Sequence, residues 1–269
     1  MGGGDKMRVL RIFTILVFGF AIAIPQTGRE IMEKVDKQNK YKTLKAKSMM
    51  ILINKRGQKR ERTVVRFEKD YKQGEVDKKT LVVFKYPKDV RGTALLIWSY
   101  NDPSKDDDRW LYLPALKRVR RIAGKSKSEY FMGTDFSYDD LSGRSLDEDK
   151  FELMGKETID GVEYFKIEAI PLEKEPTYSK RIVWVLPEKW VVKRVDYFDK
   201  NGNLLKRMLC DSLKNVNGRW VFTRLQMNNF QKKHKTVIEI TDINYDKPLD
   251  DNVFTVSMLE SGRIILLEK

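Results

Sequence analysis

Few side chains in this sequence could take part in acid–base, nucleophilic or metal chemistry. Its 269 residues include one cysteine, Cys210, and one histidine, His234. A zinc site needs several Cys or His ligands, and a nucleophilic cysteine needs a base beside it, so neither can be assembled from the usual residues. His234 stands between lysines at the start of a predicted strand, which predicts a solvated side chain. No phosphate-binding loop and no G-x-S-x-G motif occurs, so we predict a protein that is not an enzyme and has no cofactor or metal.

Carboxylates are the remaining groups with chemical potential. Asp106, Asp107 and Asp108 are consecutive, but they lack the spacing of an EF-hand calcium loop. We therefore predict a solvated turn there. Nothing in the sequence selects a carboxylate pair of the kind that glycosidases use, so an extracytoplasmic enzyme is only a third alternative for the function.

The charge balance points to an anionic partner. Lys and Arg number 53 against 39 Asp and Glu, a net charge of +14. Such a charge favours nucleic acid or an anionic membrane surface.

The N-terminus favours the membrane surface. Lys6, Arg8 and Arg11 precede the apolar run 12–24, which is long enough for a signal-peptide core and too short to span a bilayer. Ala21-Ile22-Ala23 offers a cleavage site, so residues 1–23 are predicted to be a signal peptide and the protein to be periplasmic, without a nucleic-acid partner. An uncleaved anchor is the alternative.

The mature chain would remain basic and soluble. Residues 1–23 carry a net +2, which leaves +12 after cleavage. The lone Cys210 excludes an intrachain disulfide, and no cysteine follows the apolar run to accept a lipid. We predict a monomer.

The elements that would position any site are mostly strands. Thr27 and Glu30 have capping-box spacing, which predicts a helix from about Gly28 to near Tyr41. From Leu44 onward, apolar and alternating segments separated by turn signals predict eleven or twelve strands in an antiparallel meander. Residues 251–260 are predicted to form a short helix or a turn.

A sheet of this length must curl or close. Asn201-Gly202 and Asn217-Gly218 predict two of its hairpins, because both turn positions tolerate positive φ. The predicted fold is therefore mainly β. Residues 24–269 form a single domain, a curved antiparallel sheet of about 11 strands wrapped around one or two short helices.

The most distinctive stretch runs from Trp110 to Leu141. Its first block, residues 110–122, reads WLYLPALKRVRRI, and its second, residues 131–141, reads FMGTDFSYDDL. These two blocks closely resemble the outer-membrane lipoprotein-sorting proteins in their broad LolA-like form. The looser likeness in strand spacing covers most of the chain from about Gly28.

The resemblance implies a half-barrel around a lipid-sized cavity. By this likeness the protein would bind a lipid or the acyl chains of a lipoprotein and shuttle it from an inner-membrane exporter to the outer membrane. The alternative is a half-barrel sensor of lipid or misfolded lipoprotein that controls a membrane regulator of the anti-sigma-factor type.

The two blocks also supply the candidate site. The hypothesis for the cavity and its lid comprises Trp110, Tyr112, Leu113, Phe131, Met132, Phe136, Tyr138 and Leu141. Any one of them could equally be ordinary core. Arg118, Arg120 and Arg121 either form an exposed basic edge or pair with Asp135, Asp139 or Asp140 to close the mouth; Arg118, Arg120, Asp135 and Asp139 are the candidate lid pairs.

Overall fold

One antiparallel sheet makes up most of the protein. The computed structural model describes residues 26–71 and 74–267, so the predicted signal peptide, residues 1–23, lies outside the described residues. Within these ranges the chain forms three α-helices, α1 Gly28–Gln38, α2 Tyr138–Ser142 and α3 Val256–Glu260. The thirteen strands are β1 Thr43–Ile53, β2 Lys59–Asp70, β3 Val76–Tyr86, β4 Ala94–Tyr100, β5 Asp108–Leu113, β6 Arg118–Ile122, β7 Asp149–Ile159, β8 Val162–Pro171, β9 Lys180–Leu186, β10 Val191–Phe198, β11 Leu204–Val216, β12 Arg219–Asn229 and β13 His234–Tyr245.

The strand order places the first and last strands side by side in the middle. It runs β6-β5-β4-β3-β2-β1-β13-β12-β11-β10-β9-β8-β7. Leu44 of β1 pairs with Tyr245 of β13. The edge strands β6 and β7 are consecutive in the chain, and residues 123–148, which we call the crossover, connect them.

Contacts of the crossover show that the sheet curls. Ser142 accepts a hydrogen bond from Arg109 on β5 at 2.8 Å, and two residues later Arg144 donates to Asp149 on β7 at 3.2 Å. A flat sheet would hold β5 and β7 about 50 Å apart, because neighbouring strands are ~4.8 Å apart. Side chains two residues apart cannot reach that far. The sheet is therefore curved and remains open between its edges.

Each face of the sheet has its own core. The inner face, onto which α1 and the crossover pack, buries alternate residues of the strands; Val82 and Phe84 of β3 belong to it. The outer face buries the intervening residues, such as Leu81 and Val83, beneath residues 249–267, which we call the C-terminal cover. Residues 81–84 are therefore covered on both faces.

The helix α1 closes one side of the inner face. Thr27 and Glu30 form the predicted capping box, and Ile31 and Val35 enter the inner core. Arg29 donates to the backbone oxygen of Leu146 at 2.7 Å, which ties α1 to the crossover. The helix ends at Gln38, a turn before the predicted end.

The sheet has more strands than predicted. β6 buries only Ile122 and β7 buries only Asp149, so neither shows an apolar pattern that would reveal a strand. The two Asn-Gly turns are as predicted, with Gly202 and Gly218 at positive φ. Residues 251–260 form a 3-10 turn and α3, also as predicted. Among the residues that the structure describes, no helix is long and apolar enough to cross a membrane.

Candidate functional site

The second distinctive block lies within the crossover. Ser137 caps α2 by accepting from the backbone N–H of Asp140 at 3.1 Å, while the Asp140 carboxylate accepts from the N–H of Ser137 at 2.6 Å. This capping box satisfies backbone donors that the first turn of a helix leaves free. Ser145 and Glu148 form another capping box just before β7. Local sequence thus makes the crossover an ordered segment.

The apolar residues of this block meet on the inner face. Phe131, Phe136, Tyr138 and Leu141 are buried in the inner core, and Met132 packs against it. The Phe131 side chain is only 1% exposed. Its ring lies 5.5 Å from that of Phe84 and 5.8 Å from that of Tyr138. These five predicted residues therefore come together, and they form packed core between the crossover and the sheet.

The first block is divided between the two faces. Trp110 and Tyr112 belong to the outer core, where the Trp110 ring lies 5.3 Å from that of Trp98. Of the predicted residues in this block, only Leu113 packs against the inner core, to which Leu111 and Ile122 also belong. Side chains alternate between faces along a strand, so residues 110 and 112 cannot share a site with residue 113. The assignment of Trp110 and Tyr112 to the inner site is wrong.

Asp135 forms the first polar attachment of the crossover. Its carboxylate is buried on the inner face and accepts from the hydroxyl of Thr236 at 2.7 Å. The same oxygen, Oδ2, lies 2.7 Å from Nδ1 of His234. The backbone N–H of Asp135 donates to Thr236 Oγ1 at 3.0 Å. His234 therefore pairs with a buried carboxylate, and its prediction as a solvated side chain is wrong.

Lys206 forms the second attachment. Its side chain is fully buried, donates to the backbone oxygen of Asp135 at 3.0 Å and forms an ion pair with Asp140. Asp140 also accepts from the hydroxyl of Tyr178 at 2.9 Å. Burial and the neighbouring Asp140 charge raise the pKa of Tyr178 well above its usual range, so its hydroxyl remains a donor. A buried ion pair needs such additional hydrogen bonds to offset the loss of water.

Arg109 on β5 forms the third attachment. Its guanidinium donates to Ser142 Oγ at 2.8 Å and lies 3.9 Å from the Asp139 carboxylate. It also donates to Asp107 Oδ2 at 3.1 Å. The three attachments hold the crossover to β5, β11 and β13, and hence to both halves of the sheet.

The lid pairs predicted for Arg118 and Arg120 are absent from the described residues. Asp135 and Asp139 pair instead with His234 and Arg109, which lie beneath the path of the crossover. Arg118 and Arg120 are exposed on the edge strand β6, and Arg121 pairs with Asp108. The exposed basic edge is therefore the arrangement that forms.

Sequence reasoning missed the cations that hold the crossover. A lysine such as Lys206 within a strand is typical of a solvated face, and nothing local distinguishes it. Only the strand order, with Lys206 opposite Asn229 on β12, places it over the inner face. The two distinctive blocks marked the crossover itself but not its partners.

The space beside the crossover is polar. A cleft of about 470 Å³ opens between the β4–β5 loop and the crossover. Residues of both charges line it, among them Asp107, Arg144 and Glu173. Burial raises the pKa of Asp107 above its ordinary value. No group of three or more His, Cys, Asp or Glu side chains suited to a metal ion occurs in the described part of the chain.

Comparison with solved structures identifies relatives over most of the chain. A DUF1329 family protein from Desulfovibrio piger is 32% identical, with a TM-score of 0.82 over 86% of this chain and 97% of its own. An outer membrane lipoprotein-sorting protein domain from Vibrio parahaemolyticus is 31% identical, with a TM-score of 0.81 over 87% of this chain and 98% of its own. A LolA superfamily protein from Nitrosomonas europaea is 19% identical and shares the fold, with a TM-score of 0.69 over 86% of this chain and 99% of its own.

Sequence comparison agrees with these structural matches. A family model whose description reads "Uncharacterized protein" matches residues 76–261. No protein of curated function matches the chain. The matched region contains both distinctive blocks and eleven of the thirteen strands, β3 to β13. The chain belongs to the DUF1329 family of outer-membrane lipoprotein-sorting domain proteins, with a LolA-like fold.

Proposed function

We propose that the protein is a periplasmic carrier of a lipid or of the acyl chains of a lipoprotein. It would accept this cargo from an inner-membrane transporter and release it at the outer membrane, without making or breaking a covalent bond. Membership of a lipoprotein-sorting family and the LolA-like fold support this role. The cargo site in this proposal is the inner face beneath the crossover.

The observation that carries the proposal is the construction of the crossover. It presents aromatic and aliphatic side chains to the inner face, as an acyl chain would. It is held by three groups of polar contacts, centred on Asp135, Lys206 and Arg109. Such a segment can leave the sheet as a unit, because both of its ends remain tethered to the edge strands. The exposed apolar surface of the sheet would then receive the cargo.

The free energy gained by burying an acyl chain is similar in size to the free energy lost when the crossover leaves the sheet. Burying an acyl chain contributes ~0.8 kcal/mol per methylene, or about 10 kcal/mol for a chain of ~12 buried methylenes. Exposing Phe131, Phe136 and Leu141 costs about 1.5–3 kcal/mol for each side chain. Cargo binding therefore replaces one buried apolar surface by another, with a small net change in free energy. A carrier that must both load and unload needs this balance.

Hydrogen exchange during cargo uptake tests the proposal. A fluorescent fatty acid should bind saturably to the purified protein, and amides of the crossover should then exchange faster. The N–H of Asp135, which donates to Thr236 Oγ1 on β13 at 3.0 Å, is a suitable reporter, because this bond is lost when the crossover leaves the sheet. Amides of the C-terminal cover should keep their exchange rates and serve as the internal control.

Two results would overturn the proposal. One is the absence of saturable binding, together with no lipid in mass spectra of protein purified from its native envelope. The other is saturable binding that leaves exchange in the crossover unchanged, because the cargo site would then lie elsewhere.

A further inference from the structure

The charge of this protein is concentrated at one end of the sheet. The β1–β2, β3–β4 and β5–β6 turns all lie at that end, since the strands alternate in direction. The C-terminal residues join them: a Cβ placed on Gly92 would stand 3.4 Å from Ile265 Cδ1 and 3.6 Å from Pro114 Cγ. We call residues 54–61, 86–93, 114–118 and 263–266 the basic end.

Cations dominate the basic end. Its sequence holds nine Lys and Arg residues and two acids, Glu61 and Asp89. All nine cations are exposed, and none forms an ion pair with another described residue. They are Lys55, Arg56, Lys59, Arg60, Lys88, Arg91, Lys117, Arg118 and Arg263. The end therefore presents an uncompensated positive surface.

The opposite end of the same strands is acidic. Residues 39–42, 70–77, 101–108 and 246–251 together hold ten acids and five lysines. Several of these charges neutralise one another; Lys105 pairs with Glu75, and Lys69 at the end of β2 lies 3.0 Å from Asp251. The protein thus has a charge dipole along its strands, and a negatively charged plane would orient it with the basic end forward.

Large apolar side chains project from the basic end. Leu116 is 68% exposed, and Tyr86 and Leu266 are each 59% exposed. A nucleic acid backbone offers such side chains no apolar partner. The acyl region just below lipid headgroups does, and cations around an apolar tip suit the anionic headgroups themselves.

We propose that the basic end is a docking surface for an anionic phospholipid bilayer. The inference rests on the proposed carrier function and names the surface through which that carrier meets its membrane. Arg62, just inside this end on β2, donates to the backbone oxygen of Met132 in the crossover at 2.6 Å. Docking by the basic end therefore places the Phe131–Gly133 turn of the crossover close to the bilayer.

Vesicle sedimentation without cargo tests the docking surface. The protein should bind phosphatidylglycerol vesicles at low salt and release them as salt approaches 0.15 M, where screening acts within about 8 Å. It should not bind phosphatidylcholine vesicles. Replacing Lys88, Arg91, Lys117 and Arg118 together by Gln should weaken binding by roughly six hundredfold, since each cation near the surface contributes about fivefold.

A matched variant controls for net charge. Lys37, Lys42, Lys214 and Lys247 are also exposed, lie away from the basic end and form no ion pair with another described residue. Replacing these four by Gln removes the same charge and should weaken vesicle binding less than tenfold. Equal losses in the two variants would overturn the assignment, as would equal binding to the two kinds of vesicle or none to either.

Cargo uptake separates this inference from the carrier function. The basic-end variant should take up fluorescent fatty acid from solution like the wild type, because its four changes lie outside the inner face. Normal uptake without vesicle binding supports the docking surface. Normal vesicle binding by this variant would overturn the docking surface and leave the carrier proposal intact. Absence of fatty-acid uptake by the wild type would contradict the carrier proposal. Vesicle binding by the wild type and the variant would still test the docking surface in that case.

Discussion

The two faces of the sheet are covered by segments that are held in different ways. The C-terminal cover is held mainly by apolar packing, with Phe254, Leu259 and Ile264 fully buried in the outer core. It also has polar contacts, such as the bond from Trp98 to the backbone oxygen of Phe254 at 3.0 Å. The crossover also buries apolar side chains, but it is fixed by buried polar contacts at Asp135, Lys206 and Arg109. Apolar packing is lost in proportion to the area exposed, whereas a polar contact to a charged group that is lost to water costs about 1.5–3 kcal/mol. We therefore propose that the outer cover is permanent and that the inner one is detachable.

A matched pair of phenylalanines tests the comparison most strongly. Phe131 of the crossover and Phe254 of the C-terminal cover are both almost fully buried. Replacing either by Ala should lower the free energy of unfolding by about 3–5 kcal/mol. Only Phe131→Ala should also tighten fatty-acid binding, because it favours the open state that binds. Denaturant melts and fluorescence titrations, both at a temperature where each variant is folded, give the two readings.

The pair also shows how the comparison could fail. Tighter binding by Phe254→Ala would mean that the outer face takes part in uptake. Equal affinities in both variants and the wild type would mean that the crossover does not open when cargo binds.

Removing the buried side chain of Lys206 should break the second attachment of the crossover. Lys206→Met leaves the Asp140 carboxylate buried without its cation, which should cost about 3 kcal/mol or more. Adding Asp140→Asn removes the stranded charge, keeps an acceptor oxygen for the Ser137 N–H or the Tyr178 hydroxyl, and should restore much of the stability. Thermal melts of the single and double variants measure this recovery, and a double variant no more stable than Lys206→Met would argue against a paired charge.

Removing the Thr236 hydroxyl should lower the free energy of unfolding by a smaller amount. Thr236→Val removes the hydrogen bond to the Asp135 carboxylate and should cost about 2 kcal/mol. Thr223→Val is the control, because its hydroxyl donates to a neutral oxygen, that of Ser212, at 3.0 Å and should cost about 1 kcal/mol. Amide exchange at Asp135 should accelerate in the first variant only. Unchanged exchange there would show that Asp135 does not hold the crossover.

Acid should loosen the crossover before the C-terminal cover. Glu173 accepts from Lys127 and Arg144, one near each end of the crossover. Burial would raise the pKa of Glu173, but these hydrogen bonds and charges outweigh it and leave the pKa below its ordinary value. The stabilisation is therefore present above the unfolded pKa near 4.3 and is lost as pH falls through the lower folded value.

Hydrogen exchange across this pH range measures the effect. Below pH ~4, the free energy that protects crossover amides from exchange should fall by about 1 kcal/mol or less, relative to amides of the C-terminal cover. The effect is small because Glu173 is partly exposed. Glu173→Gln should reduce the difference between the acid responses of the two segments. A crossover that responds no more than the cover in the wild type would contradict this role.

Sequence alone predicted the sheet better than the site. Strands buried on one or both faces have alternating or continuous apolar patterns that can be recognised locally, as in residues 94–98. The edge strands β6 and β7 bury one residue each and escaped detection. The crossover was marked by its unusual residues, but Lys206 and Thr236 reach it from strands far along the chain. Their role depends on strand order, which no local pattern contains.

The central pairing of β1 with β13 also has a consequence for the chain while it folds. Strands β1–β6 can form hairpins with their neighbours as soon as they emerge, and so can β7–β13. The free edge of β1, which includes Met49-Met50-Ile51-Leu52-Ile53, has no partner until β13 arrives. An apolar unpaired edge is a template for pairing with other chains. The interval before β13 is added is therefore the period in which this protein is most exposed to aggregation, and dilution or a chaperone that shields β1 should raise its refolding yield.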